Sequence, residues 1–288
     1  MPQPPWTTTL TQGEHDLILF GMAAVALSLL ATLVRVRFTS SESHGTFRAA
    51  SMTANAVVAI ALASYLAIIA AFIMGYRQHG AEYLPNSGAR LSWELRYMDW
   101  VVTVPLLVLE LMAISALAEA TADRMRRAGM VSAAAMIVCW FLGAFIVAGG
   151  TDPTAYALLG VGGALFFAVL YGLFVYAMRM SLPRLPVIAR GPYRSATIVL
   201  LLTWLAYPIA YGVVGAFTGG AVVVIAQLAL CAADMVLTIG FGMLVHRTSV
   251  LRSRNDEGLD PSTVRRPRTA RNDSVYVTDS RAVEFDAE

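Results

Sequence analysis

A bundle of seven membrane-spanning helices is the fold this sequence predicts, and three observations predict it. Of 288 residues, 57% are hydrophobic and only 14% are charged, whereas charged residues make up about a quarter of a soluble domain. The apolar residues gather into seven long runs, and a helix needs about 20 mostly apolar residues to cross a bilayer. Arginines collect in alternate connections between those runs, the pattern of a multi-pass protein. In hydrocarbon every backbone group must be paired within its own segment, so runs of this length form helices.

The runs between polar breaks cover residues 14–36, 49–76, 91–118, 128–148, 153–180, 195–217 and 221–245. Arg35, Arg37 and Arg48 flank the first connection, and Arg124, Arg126 and Arg127 follow the third run. Arg179, Arg184, Arg190 and Arg194 flank the fifth connection, and Arg247, Arg252 and Arg254 follow the seventh run. The N-terminal segment and the connections after runs four and six hold no arginine, and the one after run two has Arg77 and Arg90. This asymmetry predicts an N-terminus outside and a C-terminus in the cytoplasm. Three regions follow: an outer N-terminal segment (1–13), the seven-helix domain (14–247) and a polar tail (248–288) of mixed charge that reads as disordered.

The first residues lack a basic stretch followed by an apolar core, so no cleaved signal is expected. The formal net charge is only +2. Basic stretches interleaved with aromatics, as used on nucleic acid, are absent. Cys139 and Cys231 both lie inside apolar runs and read as small buried hydrophobes, with no metal or redox spacing. His15, His44, His79 and His246 fall at span ends or in loops and read as solvated or interfacial. All 21 residues in the Lys+Arg total are arginine. With no lysine, no side-chain amine is available to form an imine with an aldehyde.

Ionisable residues inside spans are costly and usually mark function. The third span holds Arg96, Asp99 and Glu110, and the seventh holds Asp234. At about 100° per residue, positions 99, 103 and 110 share one helical face. The rise from Asp99 to Glu110 is about 16 Å, half a membrane. Two carboxyls so placed suit proton entry and exit stations. Arg96 sits one turn outward from Asp99, placed to hold its charge, and Asp234 can share it. A purely structural ion cluster that pins helices together is the other reading of the same charges. Tyr65, Trp100, Trp204, Tyr207 and Tyr211 gather at similar depth beside Pro208, which breaks the ladder of the sixth span. They form either plain core or the wall of a pocket.

The run from Arg96 through Asp99, Trp100 and Thr103 to Glu110 resembles the third helix of microbial rhodopsins of the light-driven proton-pump type. The run Trp204 to Tyr211 is similar to their sixth helix, and Asp234 to Gly242 to their seventh. Span count and order agree, so the resemblance covers about residues 14–250. It implies that Asp99 is the counterion and proton acceptor, Thr103 its hydroxyl partner, and Glu110 the cytoplasmic proton donor. Arg96 matches the arginine of the outward path and Asp234 the second counterion. Trp100, Trp204, Tyr207 and Pro208 match the retinal pocket, and Tyr65 a tyrosine touching the counterion cluster.

Three departures alter what the resemblance implies. Thr238 stands at the position of the retinal-linking lysine, one turn after Asp234. Tyr211 replaces a tryptophan. Gly160, Gly162 and Gly163 occupy a stretch of the fifth span where relatives often carry large aromatics, which makes the pocket wider or differently filled. The resemblance then implies no covalent cofactor. It leaves an accessory or regulatory membrane protein, or one that holds retinal non-covalently. The alternative is a light-driven pump or photoreceptor that works with unlinked retinal or only once a lysine is restored. A retinoid-processing enzyme is disfavoured, because no nucleophile–base pair accompanies Thr238. The family also implies assembly into trimers or pentamers in a prokaryotic plasma membrane, and allows another rhodopsin as partner.

Overall fold

In a computed structural model, residues 4–39, 47–150 and 152–256 are described. The chain forms α1 (Gln12–Thr39), α2 (Phe47–Gly75), α3 (Ser87–Ala113), α4 (Glu119–Phe141), α5 (Pro153–Ser181) and α6 (Val187–Ala216). The last span is α7 (Gly220–Met235) and α8 (Gly242–Asp256), joined without a break through a π-helical stretch, Val236–Phe241. Six of the seven spans are long and apolar enough to cross a membrane. The seventh by that count is α3, whose apolar run is interrupted by Glu94, Arg96, Asp99 and Glu110.

The helices outrun the apolar runs at several ends. Helix α4 begins at Glu119 rather than near 128, and α6 at Val187 rather than near 195. Polar residues continue a helix readily where its last turns leave the hydrocarbon. Helix α3 stops earlier than its apolar run. Ser115 Oγ donates to Met112 O (2.7 Å), and Ala116 N donates to Ser181 Oγ (3.2 Å), so the chain turns there. The boundary expected at 247 is passed as well. Thr248 and Ser249 bond back to the carbonyls of Leu244 and Val245, and Val250 and Leu251 are buried. Arg252 Nη1 donates to Ile114 O (3.0 Å) and Ser115 O (2.8 Å), capping the open end of α3. Helix α8 therefore belongs to the bundle as far as Asp256, and the rest of the tail, 257–288, lies outside the described residues.

A small sheet covers the N-terminal face, an element the apolar runs did not announce. Strands β1 (Leu10–Thr11), β2 (Tyr76–His79) and β3 (Glu82–Pro85) pair antiparallel in the order β1-β3-β2. Gly80, at φ 65°, opens the two-residue turn between β2 and β3. His15 packs beneath this hairpin: its ring stacks on Tyr83 at 3.8 Å and Phe72 at 4.9 Å, and Nδ1 lies 3.2 Å from Asp16 Oδ1. It is 6% exposed, so the solvated reading of this histidine is corrected. Ring stacking shields an imidazole that the sequence leaves at a span end.

The turn from hairpin to α3 fixes the depth of the polar residues on that helix. Asn86 caps α3 by accepting from Gly88 N (2.7 Å), while its Nδ2 donates to Met74 O (2.8 Å) at the end of α2. Gly75 lies directly against the backbone of Ala89, where an added Cβ would collide with Ala89 N. Gly75→Ala is expected to destabilise the protein by about 1–3 kcal/mol, because backbone cannot yield as a flexible side chain does. A lower midpoint of thermal unfolding in detergent checks this.

Candidate functional site

Midway through the bundle, α3 and α7 face each other across a buried ion pair. Arg96, 1% exposed, places Nη1 3.0 Å from Asp234 Oδ2. Its Nη2 donates to Gln227 Oε1 at 2.8 Å, and Nη1 also reaches the Tyr65 hydroxyl at 3.3 Å. Asp234 receives two phenols besides: Tyr65 donates to Oδ2 at 2.5 Å and Tyr207 to Oδ1 at 2.7 Å. Its charge is thus matched by one guanidinium and both oxygens are bonded, as a buried ion requires. Gln227 was missed in the sequence. It stands seven residues before Asp234, on the same helical face, and a lone amide in an apolar run was the signal.

Arg96 makes its ion pair with Asp234, the second acid expected to share it, and acts on Asp99 only without direct contact. Side chains on a helix slant toward its N-terminus. Arg96 therefore reaches away from Asp99, toward the N-terminal face and α7. The Asp99 carboxyl keeps one buried oxygen, Oδ1, without a hydrogen-bond partner. Thr103 does not supply it. Its Oγ1 donates to the backbone carbonyl of Asp99 at 3.0 Å, the local bond open to a threonine inside a helix. Further along α3, Glu110 is 1% exposed and its Oε1 is also unpartnered. The two acids share a helical face but not a compartment: Asp99 and Thr103 line the central cavity, and Glu110 does not.

That cavity has a volume of about 280 Å³, near the lower end for small-molecule sites. Its walls include Tyr65, Trp100, Trp204, Tyr207, Pro208, Tyr211, Asp234 and Thr238, so every residue expected to touch a cofactor meets the same space. Trp100 packs edge-on against Tyr207 at 4.9 Å and against Tyr211 at 6.0 Å. Trp204 closes the other side with Phe174 (5.4 Å) and Phe167 (6.5 Å). Pro208 lacks the N–H that would bond the carbonyl of Trp204, four residues earlier. Thr238 is 9% exposed and sits within the π-helical stretch, a departure from α-helix frequently found at functional sites.

The glycines of α5 fill the cavity differently rather than emptying it. Trp140 of α4 lies over them, its Nε1 donating to Gly160 O at 3.2 Å. A Cβ at Gly163 would run into that indole, whereas the space beside Gly160 is open. Trp140 and Gly160 both line the cavity; Gly162 and Gly163 do not. The sequence reading missed Trp140, and a tryptophan in the fourth run was its only mark. The cavity reaches the lipid-facing surface at Tyr156 and Ala164 of α5 and Gly212 of α6, all exposed. Cys231 is buried and Cys139 half-buried, and both are free thiols.

Seven helices around a central cavity, with a buried arginine–aspartate pair in its wall, define a multi-pass helical membrane protein. The sequence profile of bacteriorhodopsin-like proteins matches residues 14–251, and the chain belongs to that family, the microbial rhodopsins. Archaerhodopsin-2 of Halobacterium sp. (strain aus-2) is 31% identical over 211 residues, 72% of this chain and 74% of that protein. Sensory rhodopsin-2 of Haloarcula vallismortis is 29% identical over 180 residues, 62% of this chain and 73% of that protein. Among solved structures, a thermophilic rhodopsin superposes with a TM-score of 0.78 at 24% identity, covering 86% of this chain and 98% of its own. Xanthorhodopsin, described as a light-driven ion pump with dual chromophore, gives a TM-score of 0.76 at 24% identity over 90% and 100%.

Proposed function

We propose that this rhodopsin holds a retinoid without a covalent bond and is not itself a light-driven pump. The observation that carries this reading is the pairing of a ligand-sized aromatic cavity with Thr238 at the position the family uses for its lysine, in a chain with no lysine at all. The residues present fit a retinoid: Trp100 and Trp204 line the cavity and would hold a flat polyene, and Asp99, with Oδ1 unpartnered, lines the same cavity as Thr238. A bound retinal supplies a light-absorbing polyene, and this chain's part is to orient it and to exclude water. Without an imine, no proton passes from the chromophore to Asp99, so Asp99, Thr103 and Glu110 remain as an unloaded proton path. Arg96 and Asp234 act as the fixed ion pair of the site.

The protein is proposed to lie in a prokaryotic plasma membrane with its N-terminus outside, as a homo-oligomer of three or five chains. Its role is then that of an accessory or regulatory rhodopsin, with a lysine-bearing rhodopsin as a candidate partner. The reading is tested by adding all-trans-retinal to membranes holding the full chain, purifying the protein and extracting it with organic solvent. Recovery of close to one equivalent of unmodified retinal per chain is expected. Recovery no greater than from membranes lacking the protein rejects it.

A second reading has its own support. Asp99 and Glu110 both keep an unpartnered buried oxygen on one face of α3, which a purely structural role leaves unexplained. The chain is then a pump or photoreceptor whose activity returns with a lysine.

A further inference from the structure

Where α5 turns into α6, positive charge gathers with no acid nearby in the sequence to answer it. Between Asp152 and Asp234 the only charged residues are Arg179, Arg184, Arg190 and Arg194. All four flank the turn and are exposed. None takes part in an ion pair among the described residues.

Arg190 and Arg194 line a surface hollow together with Leu182, Pro183 and Gly191. Arg190 is held in place there. Its Nε donates to Leu185 O (2.9 Å) and its Nη2 to Pro183 O (3.2 Å). A guanidinium carries five N–H donors, so about three remain for a ligand. Arg194 follows one turn along α6, on the same side of the helix. A fixed fork beside a second guanidinium suits a phosphate, which accepts paired hydrogen bonds from each.

Two observations make that phosphate a lipid's. The 29 residues of α5 span about 43 Å, and a bilayer with its headgroups is about 40–45 Å thick. The turn that follows α5 therefore lies at headgroup depth. The arginines also keep apolar company: Val187, 78% exposed, and Ile188, also exposed, open α6 between Pro183 and Arg190 in the sequence. A phospholipid presents phosphate and acyl chain together, whereas a soluble anion leaves these side chains uncovered.

We propose that the α5–α6 turn is a binding site for an anionic phospholipid, its phosphate on Arg190 and Arg194 and its acyl chains alongside the apolar residues of the turn. The site is independent of the central cavity and of what fills it.

The full chain, purified in non-ionic detergent, is titrated with phosphatidylglycerol and with phosphatidylcholine, and bound lipid is counted by native mass spectrometry. Phosphatidylglycerol is expected to bind about tenfold more tightly, each arginine near an anionic headgroup being worth about fivefold. Arg190→Gln with Arg194→Gln is expected to erase that preference. Arg194→Gln alone, which leaves both bonds of Arg190 to the turn in place, is expected to reduce it to about twofold. Arg124→Gln with Arg127→Gln removes the same charge from exposed positions on α4, and is expected to leave the preference within about twofold. Equal binding of the two lipids by the unaltered protein, or an equal loss from both pairs of substitutions, overturns the site. Displacement of the lipid by inorganic phosphate or by an oligoglutamate peptide, at constant ionic strength, assigns the patch to a soluble anion or an acidic protein segment and overturns it too.

Discussion

Thr238→Lys, supplied with all-trans-retinal, is expected to turn coloured, while the unaltered protein absorbs only in the near ultraviolet. The substituted amine condenses with the aldehyde, releasing water, and the imine takes up a proton. A positive imine at position 238 enters a space already bounded by Asp99 and Asp234. Asp234 is fixed by Arg96, Tyr65 and Tyr207, whereas Asp99 keeps an oxygen free to receive the new charge. The expected colour is therefore that of a protonated imine with a nearby carboxylate, red-shifted from free retinal. Illuminated vesicles of the variant are also expected to move protons, and Thr238→Lys with Asp99→Asn is expected not to. A variant that stays colourless would mean that the cavity no longer takes retinal in a reactive pose.

Breaking the ion pair carries the second large effect. Arg96→Met leaves Asp234 buried with two phenols but no positive partner, and loss of one member of a buried pair costs about 3–5 kcal/mol. A steep fall in the unfolding midpoint is expected. Adding Asp234→Asn is expected to recover much of the loss, because the uncompensated charge is then gone. The non-additivity of the two single changes, read in a double-mutant cycle, measures the pair itself. Glu110→Gln makes the contrast: no cation faces Glu110 within the described ion pairs, so its removal is expected to cost little. If Arg96→Met were no more damaging than Glu110→Gln, the Arg96–Asp234 pair would not hold the bundle together.

The spans, their order and the residues of the cavity were legible because each rests on a short-range signal. Apolar run length marks a span, and Arg96, Asp99, Glu110 and Asp234 stand out against apolar neighbours. Pairing was less legible. Arg96 is three residues from Asp99 and 138 from Asp234, yet the slant of helical side chains sends it to the distant acid. Thr103 bonds its own backbone, a choice that spacing alone does not make. Gln227 and Trp140 were overlooked because each is a single residue whose role depends on which helix lies opposite. The hairpin of β2 and β3 escaped because its strands are four residues each, too short to set up a pattern. The buried end of α8 escaped because Arg252, a charge that reads as solvated, spends its donors on the carbonyls that end α3.

Whether the polyene is held without a covalent bond is decided by incubating the full chain with all-trans-retinal, recording the absorption spectrum, reducing with borohydride and weighing the intact protein. A near-ultraviolet band and an unchanged mass are expected of non-covalent binding. A visible band accompanied by a mass increase of one retinyl group would overturn it.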